Sequence, residues 1–260
     1  MTFLSVDVRK KTYANGCCAI ENLSFSAQAG EFVAIVGPSG AGKTSLLNLI
    51  AGLDQEMQGS IDCSLGPQRQ GQPRISFMFQ EPRLMPWLSV RQNLEMVITP
   101  EVQLKQRTPL PDLLALVGLP GCGDLFPGQL SGGMQRRVAL LRAFIVEPDL
   151  LLMDEPFQSL DAPTAHQLRL LLQDLWQRTR PTVLFVTHSL REAISLADRI
   201  LFLSGQPSKV ILDLPVELQH PRTIEDSAVQ KLHEHLLNQY PQLLGGQLAS
   251  VASAKENVAP

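Results

Sequence analysis

The segment Gly37-Pro38-Ser39-Gly40-Ala41-Gly42-Lys43-Thr44 fits G-x-x-x-x-G-K-[ST], the pattern of a phosphate-binding loop. Such a loop lies between a strand and a helix. Here the apolar run 32–36 enters it, and the helix-like Ser45-Leu46-Leu47-Asn48-Leu49-Ile50 leaves it. The glycines let the backbone curl until successive N–H groups point at one phosphate, and the helix N-terminus adds positive potential. In that arrangement Lys43 reaches the β- and γ-phosphates and Thr44 offers its hydroxyl to Mg²⁺. A chain that must build this loop is committed to a strand–loop–helix unit and to a sheet that holds it.

The rest of the chain is consistent with such a sheet. Residues 4–8 alternate like a strand, residues 23–25 and 32–35 follow, and Ala29-Gly30-Glu31 supplies a turn between them. Residues 63–73 hold Gly, Pro and Gln and predict a surface loop, and 74–79 a strand ending at Gln80. From 88 to 146 the pattern is helical, broken at Pro100, Pro109, Pro111, 118–123 and Pro127-Gly128. Leu150-Leu151-Leu152-Met153 and residues 182–187 are continuous apolar runs, as in strands buried on both faces. Leu168, Leu171, Leu172 and Leu175 share one face of a helix over 168–176. A helix at 189–197, short strands at 200–203 and 209–212, and a last helix at 223–239 complete the pattern, before a small, polar tail at 246–260 expected to fray. Alternating strands and helices predict a parallel α/β core. The helical stretch between two core strands reads as a subdomain inserted into it.

Composition narrows the function. A hydrophobic content of 44% over 260 residues supports a sizeable core in one large or two small domains. The net charge of −3 provides no basic field to recruit nucleic acid, and no nucleic-acid partner is expected. Cys17, Cys18, Cys63 and Cys122 form no C-x-x-C pair, so they read as reduced thiols of a cytosolic protein. The first eleven residues have no signal-peptide apolar region, and no run of 18 apolar residues suggests a membrane span.

Two further strings carry chemistry. The run 150–153 ends in Asp154-Glu155-Pro156, placing two acids at a strand end. Asp154 is suited to the Mg²⁺ shell and Glu155 to polarising an attacking water; phosphoryl transfer needs an in-line water, a metal and charge stabilisation. Alone, the same acids could simply end a strand in solvent. Leu130-Ser131-Gly132-Gly133-Met134-Gln135-Arg136-Arg137 places a capping serine and two bare glycines at a helix start, where a phosphate can sit. An ordinary serine-capped helix would look similar. The phosphate loop in the same chain separates the two readings.

Together these strings resemble the nucleotide-binding subunit of an ABC transporter. Residues 130–137 resemble that family's signature sequence, Asp154-Glu155 its Walker B end and Ser159-Leu160-Asp161 its D-loop. Thr187-His188 resembles its switch histidine and Gln80 its Q-loop glutamine. The elements stand in family order over residues 3–213. The resemblance implies an α/β fold: a P-loop NTPase core with a RecA-like mixed sheet, an antiparallel β subdomain and an inserted helical subdomain at about 83–147. A C-terminal helical extension at 214–240 and a tail at 241–260 would follow. It also implies roles. Residues 37–45, through Ser45, would wrap the phosphates; Gln80 would contact Mg²⁺ or the water; Glu155 would be the general base; His188 would hold the γ-phosphate. Tyr13 aligns with the aromatic that stacks on adenine, although a lone tyrosine also serves as packing. Asp161 would act across a dimer in which ATP on one loop is closed by Ser131, Gly132 and Gly133 of a second copy or a homologous cassette.

The chain departs from the family pattern at four places: Thr44-Ser45 for Ser-Thr, Arg136 where glutamine is common, Ser189 for aspartate, and Gln158 for a small residue. None removes a catalytic group. The stretch from Phe79 through Val90 resembles bacterial importers of nitrate, sulfonates, taurine and related small solutes. There Trp87, Leu84 and Arg83 would meet a permease coupling helix, unless Trp87 belongs to the subdomain's own core. The implied partners are membrane permease subunits and, indirectly, a periplasmic or lipid-anchored solute-binding protein. The implied place is the cytoplasmic face of the plasma membrane. A non-transport ABC ATPase of DNA repair or translation, and a cassette that binds ATP without turnover, are the competing readings; the former usually carries coiled coils or two cassettes.

Overall fold

The computed structural model describes residues 2–65, 71–99 and 108–248. It divides into two compact units, one from residues 1–72 with 182–260 and the other from residues 73–181.

The first unit holds two sheets. The smaller is antiparallel and ordered β2-β1-β4, with β1 at Thr2–Thr12, β2 at Cys18–Gln28 and β4 at Gln58–Cys63. Leu4, Val6 and Val8 alternate inward. Between Val8 and Lys10 the pairing with β4 slips by one residue. A slip of one exchanges the faces of a strand, and beyond it Lys11 turns inward, its side chain 1% exposed and ion-paired to Asp54 at 2.8 Å. The Lys11 hydrogen bond holds the Asp54 carboxyl below the usual carboxylate range. β4 is an addition to the sequence reading: Gln58, Gly59, Ser60 and Asp62 make a polar strand whose existence depends on the neighbour it pairs with.

In the larger sheet of this unit β3 (Phe32–Val36) lies between β7 (Thr182–Thr187) and β8 (Arg199–Leu203), parallel to both, and β9 (Val210–Pro215) adds antiparallel to β8. Every residue of β3 and β7 is buried, which explains their uninterrupted apolar sequences. Helix α1 (Lys43–Ile50) follows β3 and α6 (Leu190–Leu196) follows β7. The last helix, α7 (Ser227–Gln239), packs on α6 and buries Val229 and Leu236, two turns apart on one face. It starts later than the sequence suggests, because Asp226 accepts hydrogen bonds from the N–H and hydroxyl of Thr223 at 2.8 and 3.1 Å and makes that stretch a turn. Residues 243–245 form a single 3₁₀ turn that buries Leu243, and a Cβ on Gly246 would sit 3.1 Å from Cγ of Pro38. Residues 249–260 lie outside the described residues, as do Pro100 and the middle of the loop at 63–73.

In the second unit β5 (Ile75–Met78) runs parallel to β6 (Leu150–Asp154) in the register Met78↔Met153. Among the described residues four α-helices accompany them: α2 (Val90–Glu95), α3 (Leu110–Leu116), α4 (Gly132–Ile145) and α5 (Ala162–Thr179). Their shared core is Val90, Leu94, Leu114, Val117, Leu119, Val138, Leu141 and Ile145, with Leu84 and Met134 packed against it. The helices expected at 83–147 fall within this unit.

Candidate functional site

In the first unit the parallel strands deliver the phosphate loop and His188 to one edge. Val36 pairs with Thr187, so Gly37 and His188 are the next residues on adjacent strands, at their carboxyl ends. Ligands of open α/β sheets bind at that edge. Gly42 takes a left-handed φ of 79° and stands at the N-cap of α1 without a side-chain cap bond. The first N–H groups of α1 are thereby left for an anion. The Lys43 ammonium, on a residue 6% exposed, donates to the carbonyls of Gly37 and Pro38 at 2.9 Å each. That folds the long stem over the loop and fixes the charge at its centre. Tyr13 sits in the β1–β2 turn, 38% exposed, with its hydroxyl 2.6 Å from Oγ of Ser45 and the Lys11 ammonium 5.0 Å from its ring. It is therefore tied to the phosphate loop at one end and exposed at the ring. His188 and Thr44 are both exposed. Ser189 caps α6, its Oγ accepting from the N–H of Glu192 at 3.3 Å, so the residue in place of the family aspartate still starts a helix.

In the second unit Asp154 ends β6 buried, at 7% exposure, and Glu155 follows with a left-handed φ of 45°. Such a backbone on a non-glycine residue costs about 1–3 kcal/mol and turns the side chain out of the strand's alternation. Gln80 leaves β5 at the same edge, and its Nε2 donates to Oε1 of Gln158. Arg136, on α4, reaches across to donate to the carbonyls of Pro156 and Gln158 at 2.7 Å each. Burial pushes its guanidinium below its ordinary value, a cost accepted only where fixed acceptors replace water. Ser131 caps α4 by accepting from the N–H of Met134 at 3.2 Å, and Asp161 caps α5 by accepting from the N–H of Thr164 at 3.1 Å. The bonds from Thr164 keep the Asp161 carboxyl below the usual range. The two helix starts touch: a Cβ on Gly133 would lie 2.6 Å from Cγ2 of Thr164, whereas one on Gly132 would meet nothing within 4 Å. Gly133 thus lies close against the Thr164 side chain, and Gly132 faces open space.

The segment after Gln80 is built just as firmly. Arg142 donates to the carbonyls of Pro82 and Arg83 at 2.9 and 3.0 Å, and Arg83, at φ 47°, lays its guanidinium 3.8 Å over the Phe79 ring, which stacks on Phe77. Asn93, fully buried, accepts from the N–H of Met85 and donates to the carbonyls of Met85, Leu88 and Ser89. Trp87 projects from this framework at 71% exposure, so it is not part of the subdomain core. Leu84, by contrast, packs against that core.

A family model described as ABC transporter matches residues 20–158. The aliphatic sulfonates import ATP-binding protein SsuB 1 of Pseudomonas savastanoi pv. phaseolicola is 39% identical over 241 residues, 93% of this chain and 97% of that protein. The chain belongs to the ABC transporter family. The SsuB protein of Bacillus licheniformis is 37% identical to this cassette over 245 residues, 91% of this chain and 94% of that one. Among solved structures, the ATP-binding cassette MJ0796, a dimer in a post-hydrolysis state bound to ADP and Pi, is similar at a TM-score of 0.66 and 27% identity. It covers 84% of this chain and all of that one.

The cassette binds ATP. Taken each within its own unit, the Thr44 hydroxyl of the first and the Asp154 carboxylate and Gln80 amide of the second are hard oxygen donors of the kind that Mg²⁺ takes. Four residues take their roles only from the structure. Arg136 and Gln158 stand out in the sequence solely as departures from the family pattern; Arg136 proves to be the tether of the segment after Glu155 and Gln158 the partner of Gln80. Arg142 and Asn93 carry no motif, and their roles rest on contacts with the backbone elsewhere in the unit.

Proposed function

We propose that this cassette is the ATP-hydrolysing subunit of a bacterial importer for a small anionic solute such as a sulfonate, taurine or nitrate. It spans residues 3–213, with its helical subdomain at about 83–147, a helical extension at 214–240 and a tail at 241–260. Two copies, or one copy and a homologous cassette, close head to tail around two ATP–Mg²⁺. Residues 37–45 wrap the phosphates of one ATP and Tyr13 stacks on its adenine. Ser131, Gly132 and Gly133 of the other copy cover the γ-phosphate, with Asp161 acting across the interface. Glu155 accepts the proton of the attacking water, and His188 holds the γ-phosphate. Thr44, Gln80 and Asp154 would hold Mg²⁺, which supplies charge neutralisation on the phosphate oxygens. Closure binds ATP better than the open pair does, and that difference shifts the coupled permease between states.

The observation that carries the importer reading is Trp87. An exposed indole on a turn held by the Asn93 and Arg142 hydrogen bonds suits a docking surface for a permease helix. No helix among the described residues is long and apolar enough to cross a membrane, so the proposed place at the cytoplasmic membrane face depends on that permease. A solute-binding protein outside the membrane would choose the solute. Tagging the protein in its own cells, solubilising the membranes in mild detergent and identifying copurifying proteins by mass spectrometry tests this reading. A multi-span permease is expected. Recovery of soluble or nucleic-acid-bound partners alone would replace it with a non-transport ATPase.

A further inference from the structure

Gln158 occupies a place where the family pattern has a small residue, and its backbone is fastened on both sides. Its N–H donates to the carbonyl of Glu155 at 3.1 Å, and its carbonyl accepts from Arg136 at 2.7 Å. From that anchored position its side-chain oxygen takes the Nε2 hydrogen of Gln80. An amide has one donor end and one acceptor end, and its terminal torsion is broad and roughly two-fold. Left unpartnered, Gln80 could present either end. With its NH₂ occupied by Gln158, the end left out of the bond is Oε1, and only the oxygen can serve a cation.

We infer that Gln158 is a positioning residue that holds the Gln80 amide with its oxygen presented to the nucleotide's Mg²⁺. This rests on the metal role proposed for Gln80. Gln158 makes the selection through Gln80 and not by touching the ion. Losing one net hydrogen bond corresponds to an effect of about three- to tenfold.

The test uses the full chain and a fluorescent ATP analogue, titrated in EDTA and then with Mg²⁺ added to a fixed nucleotide concentration. Four proteins are compared: wild type, Q80A, Q158M and the double variant. Q158M is expected to move the Mg²⁺ midpoint upward by about three- to tenfold while leaving affinity in EDTA unchanged. The double variant is expected to shift no further than Q80A alone, because Gln158 acts only through Gln80. A Q158M midpoint equal to wild type, with Q80A shifted, overturns the inference and leaves the metal role of Gln80 standing. An additive double variant overturns it as well, as does a Q158M protein weakened equally with and without Mg²⁺, since either would make Gln158 a support of the fold. A Q80A midpoint equal to wild type removes the metal role itself.

Discussion

Lys43 shows how much a single side chain can be asked to do. Its ammonium is nearly buried and spans two backbone carbonyls of its own loop. Lysines are rarely buried without a partner, and here the partners are the loop that the charge serves. Lys43→Ala removes that charge without touching the N-cap of α1, which is backbone at Gly42. A charged hydrogen bond contributes about 1.5–3 kcal/mol, so nucleotide affinity should fall by at least about tenfold while thermal stability changes little. Titration of the variant with a fluorescent ATP analogue checks this, and unchanged affinity would sink the phosphate-loop assignment. Gly133 makes a different argument. A methyl there would overlap Cγ2 of Thr164, 2.6 Å away. Gly133→Ala should therefore destabilise by about 1–3 kcal/mol, the usual cost of overpacking. Adding Thr164→Ser, which deletes the clashing methyl, should recover most of it. Urea unfolding of the single and double variants measures both terms; a double variant no more stable than Gly133→Ala would mean that the clash is not the cause.

At the scale of elements, α4 links three segments of the proposed site within its unit. Its N-terminus is the Ser131-capped signature, Arg136 holds the stretch after Glu155, and Arg142 holds the turn after Gln80. That turn exposes one of the chain's two tryptophans and α5 buries the other: Trp87 is open, while Trp176 is fully enclosed with its indole N–H on the carbonyl of Pro181 at 3.2 Å. Acrylamide should quench one tryptophan population readily and spare the other, and Trp87→Phe should abolish the quenchable one. In a complex with a permease the wild-type protein should lose that quenching, and its persistence would show that Trp87 lies outside the interface. The sequence made the family legible because the phosphate-loop pattern, the signature-like string and Asp154-Glu155 are each contiguous, and the buried strands because β3, β6 and β7 are apolar on both faces. It did not reveal β4, since a polar strand is decided by its partner, nor the tie between Gln80 and Gln158, which joins residues 78 positions apart. The inward Lys11 was hidden for the same reason: its burial follows from a slip in pairing, which no local periodicity records.

Across the first unit as a whole, one carboxylate ties the C-terminal extension to the sheet, beside the packing of α7. Asp198 accepts from the N–H of Phe32 at 2.9 Å, at the start of β3, and pairs with Nε2 of His220 at 3.0 Å. Arg222 stands beside it, donating to the carbonyl of Ile194 at 2.7 Å and also to those of Ala197 and Leu218. Burial alone would push the Asp198 carboxyl up, but the bonds from His220 and Phe32, with the charges of His220 and Arg222, outweigh it and hold the carboxyl below its ordinary value. A carboxyl whose folded-state pKa lies below its unfolded value of about 3.9 binds fewer protons folded than unfolded near that pH. Its contribution is therefore fully present above about pH 4 and disappears as pH falls through the folded-state value. Asp198→Asn keeps an acceptor for Phe32 but has no charge to titrate. The variant should be less stable than wild type at pH 7, and the gap should begin to narrow as the pH drops below about 4, closing only as the pH passes through the lower folded-state value. Urea midpoints followed by circular dichroism between pH 3 and 7 give the comparison directly. A gap that stays constant across that range would show that the carboxylate acts through shape and neutral hydrogen bonding, and that its charge does not fasten residues 216–239 to the sheet.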